Sequence, residues 1–481
     1  MIALLLFDMP FEQDIRELFM AFYPGRTYIY KADPQAGIIF TGRRIDNPDG
    51  GIYDVELIFG SHTEPEAYDE EHFSVNIYNS RTEVKNELKR QLYRILSKHT
   101  GIELPWGTLT GIRPVKIAVN MMESGLSTQE VLDEIKTTYL TGKEKACLCV
   151  DTALNEIRIL KDIDYNNGWS LYIGIPFCPS TCLYCSFTSY PISRWALKKN
   201  EYIAALCREL EYTAKRMKDM KLHSIYIGGG TPTSLEACDL ETLLSALKSF
   251  FNIDDVLEFS VEAGRPDSIT YEKLLVLKKY GVDRISVNPQ SMNLKTLNTI
   301  GRNHDVDMVK EAFALARKAG FLNINMDVIL GLPGEDAEDV QNTFYELKRL
   351  APESITVHCL ALKRAARLNT EKYRYKSAAY EAVESMLDIS RQYCRDMGLM
   401  PYYLYRQKNT AGNFENVGYS KAGCECIYNI MIMEEKQTII GCGAGSTSKI
   451  VIPDENRIER AENVKDPALY IERIKEKYMD L

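Results

Sequence analysis

Leu171-Tyr172-Ile173-Gly174-Ile175-Pro176-Phe177-Cys178-Pro179-Ser180-Thr181-Cys182-Leu183-Tyr184-Cys185 joins a strand-like apolar run to three cysteines separated by three and two residues. The cysteines therefore fall where a βα loop leaves a sheet. With 12 cysteines in 481 residues, chance places such a pattern roughly 0.007 times per chain, so accident is a poor explanation. Three thiolates suit an iron–sulfur cluster, because each gives one soft ligand to one iron. A fourth iron is then left open to a chelating ligand. A structural zinc ion wants a fourth protein ligand, and no further His or Cys lies nearby on this loop. Zinc stays the rival reading, with inert buried thiols behind it.

Downstream of this loop the pattern strand, loop, helix repeats to about Leu362. Strand candidates are Leu171–Phe177, Ser224–Ile227, Leu257–Val261, Arg284–Val287, Asn323–Leu330 and Ser354–Leu360. Helix-like segments between them include Trp195–Met220, Tyr271–Tyr280, Val306–Ala319 and Ala337–Leu350. Strands alternating with helices imply parallel βαβ units. Six of them make a partial barrel or a doubly wound sheet.

Polar residues and glycines gather at the predicted strand ends, where a barrel puts its site. Gly228-Gly229-Gly230-Thr231 ends the second strand, and missing side chains there let a ligand approach the backbone. Glu262 follows the third strand and Gln290 the fourth. Asp327 interrupts an apolar strand, and a buried unpaired carboxylate is costly, so a partner or ligand is expected. Arg302 has the fork to hold a carboxylate in two-pronged fashion. Taken singly, each is as readily a structural hydrogen bond or ion pair as a ligand contact.

Two regions flank this one. Residues 1–165 contain alternating runs at Ile52–Phe59 and Phe73–Tyr78, then a helical pattern over Glu83–His99, and read as an α+β domain. Met1–Asp8 is apolar but short, without a basic start, and is expected as a buried first strand rather than a signal peptide. Residues 363–481 read as a mixed α/β cap: a helix through Tyr380–Met397, then strands near Tyr428–Met433 and Thr438–Ile440. Lys363, Arg364, Arg367, Arg406 and Lys408 are candidate cations for an acidic substrate, and Tyr402, Tyr403 and Tyr405 a candidate flat wall. The alternative is a solvated basic face beside a tyrosine-rich core. Gly441-Cys442-Gly443-Ala444-Gly445-Ser446 lacks the lysine spacing of a phosphate loop and is expected to pack closely instead. Cys147, Cys149, Cys424 and Cys426 are too sparse to bind a second cluster.

The net charge of −9 argues against nucleic-acid binding through a general basic surface. No stretch approaches the roughly 18 apolar residues of a membrane span. A cytoplasmic monomer is the default expectation.

The loop CxxxCxxC with an aromatic, Tyr184, before its last cysteine resembles the radical S-adenosylmethionine superfamily. The stretches YIGIPFCPSTCLYCSF, IYIGGGTPTSL, FSVEAGRPDS, RISVNPQSMN and INMDVILGLPGE look like the oxygen-independent coproporphyrinogen III oxidase (dehydrogenase) family. Pro105–Pro114 and the long stretch from Pro401 look like its HemZ type. The resemblance implies an α/β fold: a partial (β/α)6 radical-SAM barrel at 166–362, between an N-terminal α+β domain and a C-terminal mixed α/β domain. It implies a 4Fe–4S cluster on Cys178, Cys182 and Cys185, and S-adenosylmethionine, one molecule or two. Tyr172 would lie beside the sulfonium and cluster, and Tyr184 would flank the adenine. Gly229, Gly230, Thr231, Glu262, Gln290, Arg302 and Asp327 would contact S-adenosylmethionine.

The implied reaction is oxidative decarboxylation of two propionates of coproporphyrinogen III to vinyls. It needs a reducing donor of flavodoxin or ferredoxin type and an electron acceptor. Two positions depart from the best-known members: Phe187 stands at their fourth cysteine, and Gly174 at a histidine. The alternatives are haem transfer of the HemW kind and radical chemistry on another tetrapyrrole.

Overall fold

Strand order settles the choice between barrel and doubly wound sheet. In a computed structural model of the chain, β1 (Gly168–Ile175), β2 (Lys221–Gly229), β3 (Glu258–Gly264), β4 (Arg284–Val287), β5 (Asn323–Leu330) and β6 (Ser354–Cys359) lie side by side in chain order. Every neighbouring pair among them is parallel. A doubly wound sheet reverses its strand order at a switch point, whereas unbroken order is the winding of a barrel. The structure describes residues 1–481 apart from 34, 49, 61–68, 188, 362, 364–365, 372–379, 408–413, 453–454, 456 and 478–481.

Helices Lys199–Arg216, Ala237–Phe250, Tyr271–Lys279, Val306–Lys318 and Ala337–Leu350 are the crossovers. All but the first start from a side-chain cap. Asp336 caps the last of them, accepting from the Glu338 and Asp339 amides, and Asp305 caps Val306–Lys318 through the Met308 amide. The strands themselves are apolar on both faces, as in a sheet covered by helices, with Leu171, Ile225, Ile285, Ile324 and Ile355 fully buried.

The same sheet continues past β6. β7 (Met400–Arg406), β8 (Glu415–Ser420), β9 (Thr438–Cys442), β10 (Thr447–Ile452) and β11 (Arg457–Glu462) give the order β7-β8-β6-β5-β4-β3-β2-β1-β9-β10-β11. β8 runs antiparallel to β6, and β9 runs parallel to β1. Tyr428–Met433, expected as a strand, is helix instead, within Ile427–Glu434. A short all-apolar run reads alike as a buried strand or a buried helix. Tyr428, Ile430 and Met431 are buried in the tyrosine-rich core cluster.

The chain divides into two compact units, Thr152–Tyr405 with Glu415–Leu481 and Met1–Asp151 with Arg406–Phe414. The second holds a five-stranded sheet that includes Ile2–Phe7, Ile38–Ile45, Ile52–Phe59 and Asp69–Asn76. Helix Arg81–Thr100 starts from a reciprocal cap between Ser80 and Glu83. Phe19, Phe40, Leu57, Leu88 and Leu92 form its core. Among the described residues no helix is long and apolar enough to cross a membrane.

Candidate functional site

The cysteine loop leaves the C-terminal end of β1 and is pinned from three sides. The glycine turn after β2 is the first: the Gly230 amide donates to the Ile175 carbonyl at 2.7 Å and the Thr231 amide to the Phe177 carbonyl at 2.7 Å. Thr231 Oγ1 also lies 3.5 Å from Cys178 Sγ. A side chain is impossible at Gly230, where a Cβ would meet the Phe177 carbonyl oxygen at 2.5 Å. The second support follows β3. Arg265, buried, donates through Nη1 to the Ser180 carbonyl at 3.0 Å and to Ser180 Oγ at 2.8 Å. Asp267 holds the other edge of its guanidinium at 2.9 and 2.7 Å. The third is the segment after β4, where the Leu183 amide donates to the Ile300 carbonyl and Arg302 Nη2 donates to the Tyr184 hydroxyl at 2.8 Å.

Cys178 and Cys182 are buried and Cys185 is half-buried. Burial pushes the Cys178 thiol up to about 11 and raises that of Cys185. Among the described residues, the donor triad that closes within 4.8 Å is Glu56, Glu70 and His72, and the cysteines are spread wider. Thiolates bound to one zinc at about 2.3 Å would sit roughly 4 Å apart. The three sulfurs do not all approach one another that closely.

Inside the barrel, Tyr172, Tyr226 and Tyr428 stack, with centroids 6.2 Å apart for the first pair and 4.5 Å for the second. Tyr402 and Tyr403 pack in the same buried cluster. Above this layer the Tyr226 hydroxyl donates to Glu262 Oε1 at 2.6 Å. Burial pushes the Glu262 carboxyl up to about 7, the hydrogen bond from Tyr226 opposes that rise, and the charge of Asp327 adds to it. Gly228 makes room for Glu262, since a Cβ there would lie 2.9 Å from its carboxyl. Gly229 takes φ +107°, and its missing Cβ would lie 3.3 Å from the Tyr172 hydroxyl.

Gln290 is the strained member. Its φ is +67°, a left-handed backbone that a non-glycine residue rarely adopts. It is held there because its amide donates to the Asp327 carbonyl and its carbonyl accepts from the Ile329 amide, each at 3.0 Å. Its Oε1, the Oδ1 of Asn288 and the Nε of Arg302 are buried and find no hydrogen-bond partner among the described residues. Such groups are expensive without a ligand, so they fit a polar molecule bound at these strand ends. Asp327 accepts from Asn325 Nδ2 at 2.7 Å and lies 3.9 Å from His358 Nε2. His358 Nδ1 pairs in turn with the Tyr405 hydroxyl at 3.2 Å.

Sequence reasoning passed over Arg265 and His358. Arg265 directly follows the strand that bears Glu262, but nothing in the sequence marks its reach to Ser180 and Cys182. Of the proposed substrate cations, three are among the described residues. Arg406 hydrogen-bonds the Leu109 carbonyl and lies 5.4 Å from the Trp106 ring centroid. Arg367 is exposed and faces Glu371, Lys363 lies over Phe187, and Arg364 and Lys408 fall outside the described residues. Gly441–Ser446 packs against β1: the Gly443 amide donates to Glu209, the Ala444 amide to the Tyr202 hydroxyl, and that hydroxyl to the Gly174 carbonyl. Cys426 is buried and donates to Glu258.

A cysteine loop after β1, a glycine turn after β2 and polar strand ends beyond define a radical SAM protein, and residues 172–346 match the Radical SAM superfamily. Proteins of this class use a 4Fe–4S cluster with S-adenosylmethionine. The oxygen-independent coproporphyrinogen-III oxidase-like protein HemZ of Bacillus subtilis (strain 168) is 44% identical over 402 residues, 83% of this chain and 80% of that protein. The chain belongs to this HemZ-like family. Heme chaperone HemW of the same organism is 32% identical over 287 residues, 58% of this chain and 70% of HemW. Among solved structures, coproporphyrinogen III oxidase HemN from Escherichia coli matches with a TM-score of 0.54 at 22% identity, over 65% of this chain and 70% of that one. That likeness is one of fold.

Proposed function

We propose that this protein is a coproporphyrinogen III dehydrogenase that converts two propionate side chains to vinyl groups, giving protoporphyrinogen IX. The observation that carries the enzyme reading is the set of buried, unpartnered polar atoms on Gln290, Asn288 and Arg302, with Arg302 hydrogen-bonded to Tyr184 of the loop that bears the three cysteines. The 44% identity to an oxidase-like protein supports the substrate.

Cys178, Cys182 and Cys185 hold the 4Fe–4S cluster. Gly229, Gly230, Thr231, Glu262, Gln290, Arg302 and Asp327 would hold S-adenosylmethionine, with Tyr172 and Tyr184 as further contacts. Together these groups supply one-electron carbon–sulfur cleavage and hydrogen abstraction from the substrate. The protein's part is to position and to exclude. Glu262, as carboxylate, accepts from the ammonium of the methionine moiety. Arg302 fixes Tyr184, and the stacked tyrosines close the barrel below the site and keep water from reactive species.

The test is anaerobic incubation of the reconstituted protein, its cluster first reduced with dithionite, with S-adenosylmethionine, coproporphyrinogen III and a one-electron acceptor, followed by mass spectrometry. 5′-Deoxyadenosine and protoporphyrinogen should both appear, and Cys182→Ala should give neither. 5′-Deoxyadenosine without vinyl product would leave the radical chemistry and reject the substrate. Absence of both from a fully loaded cluster would favour haem transfer, a reading to which the likeness to HemW and the exposed Phe187 lend weight.

A further inference from the structure

Between Asp164 and Glu201 the chain has no acidic residue, although Asp and Glu number 67 of 481 and the net charge is −9. This acid-free stretch contains the cysteine loop and, directly after it, Arg194, Lys198 and Lys199. Lys199 pairs with Asp239. Arg194 and Lys198 are exposed and form no ion pair among the described residues. Two large apolar side chains of the same stretch stand in the open, Phe187 at 69% and Leu197 at 97% exposure. Lys363 Nζ sits 5.4 Å from the Phe187 ring centroid. Lys465, also exposed, accepts the Tyr190 hydroxyl on its carbonyl at 3.5 Å. The nearby Asp466 carboxylate is taken up by the Ala468 and Leu469 amides.

This surface is joined to the cysteines by short structural paths. Phe177 pairs with Tyr190 and Cys178 with Pro191 in a two-stranded ladder, whose strands lie about 4.8 Å apart. The Trp195 ring packs 5.8 Å from both Phe177 and Tyr190. Phe187 follows Cys185 by two residues, at most about 7 Å of chain. A body resting here is therefore close to the ligands of the cluster. Exposed apolar residues with a cationic rim, on a protein that is negative overall, fit a partner that is acidic and weakly held. Weak electron-transfer encounters use small interfaces of this kind.

We propose that Phe187, Arg194, Leu197, Lys198, Lys363 and Lys465 form the docking surface for an acidic, low-potential one-electron carrier protein. The inference rests on the cluster reading above. One electron leaves the reduced carrier and enters the cluster, so the carrier is oxidised and the cluster reduced by one unit. No bond forms or breaks at the interface.

The experiment compares the holoenzyme with Arg194→Glu/Lys198→Glu and with Leu197→Ser, using reduced flavodoxin or dithionite as donor. With flavodoxin, the double variant should lose at least about tenfold in kcat/KM for the carrier at low salt, and the difference should shrink at high ionic strength. Calorimetry should show the same weakening in the Kd of oxidised flavodoxin. With dithionite, all three proteins should form 5′-deoxyadenosine at one rate. Unchanged carrier Kd and KM in both variants would overturn the docking surface. Failure of every protein with dithionite would overturn the cluster reading instead. Concentration-dependent dimers in sedimentation that the variants abolish would assign the surface to a second copy of this chain, and the carrier proposal would fall.

Discussion

Arg265 Nη1 lies 3.9 Å from Cys182 Sγ, so a buried guanidinium donates toward the sulfur of the loop's middle cysteine. Hydrogen bonds to ligand sulfurs and nearby positive charge both favour the reduced state of a cluster, which carries one more negative charge. Arg265→Met is expected to lower the midpoint potential by roughly 60 mV, the one-electron equivalent of tenfold. Arg265→Lys should retain part of that potential while losing the fork on Asp267 and Ser180. An EPR-monitored redox titration reads both, with iron content as the control; unchanged potential in the Met variant would show Arg265 to be a loop anchor alone.

Glu262 should make S-adenosylmethionine binding depend on pH. Its carboxyl is raised to about 7, chiefly by burial. Affinity is therefore expected to rise as pH passes upward through about 7, and Glu262→Gln should flatten the curve and weaken binding by about tenfold at pH 8. Equilibrium binding between pH 6 and 8.5 checks this.

The same carboxyl affects the ligand-free fold with a defined sign. A raised folded-state value means that the proton-bound form contributes stability fully below the unfolded value of about 4.3, and that this is lost as pH climbs through 7. Glu262→Gln should thus be stabilising by roughly 1–3 kcal/mol at pH 8 and near neutral at pH 5. Denaturant unfolding of the apoprotein at the two pH values measures it.

Cluster loading should release protons. With the Cys178 thiol at about 11 and Cys185 also raised by burial, iron must displace protons from both. Iron and sulfide incorporation should therefore be more complete at pH 8.5 than at pH 6.5. Equal loading at both would mean that the thiols are ionised beforehand.

Two glycines should respond oppositely to alanine. Gly230→Ala forces a Cβ to 2.5 Å from the Phe177 carbonyl, backbone that cannot yield without moving the cysteine loop. A loss of about 2–3 kcal/mol, with reduced iron content, is expected. At Gly174 the nearest atoms to a Cβ are ordinary contacts at 3.5 Å, so Gly174→Ala should cost less than about 1 kcal/mol. Thermal unfolding of the two variants separates the cases.

The barrel was legible because each strand is apolar on both faces and most of the crossover helices carry their own start signal. Arg284–Val287 and Asn323–Leu330 fall where the pattern puts them, as does Ala337–Leu350. Ile427–Glu434 was misread because its residues are apolar all round, which hides the helical period. The positions of the three cysteines and the glycine turn were readable from spacing alone. Arg265 and His358 were not, since what marks them is contact across loops 83 and 31 residues apart in the chain: Arg265 with Cys182, and His358 with Asp327. Arg406 has contacts the sequence does not announce, with the Leu109 carbonyl and the Trp106 ring.

β9 completes the sheet by pairing its Thr438–Cys442 with Trp169–Ile173 of β1. During synthesis, the strand that carries the cysteine loop emerges about 270 residues before that neighbour. At about 5–20 residues per second the edge stays open for roughly 15–50 s. Throughout that interval one edge of an apolar strand stays unpaired beside three free thiols, open to stray metal and to oxidation. A chain cut short before residue 438 would keep that edge open and would be a substrate for chaperones and proteases.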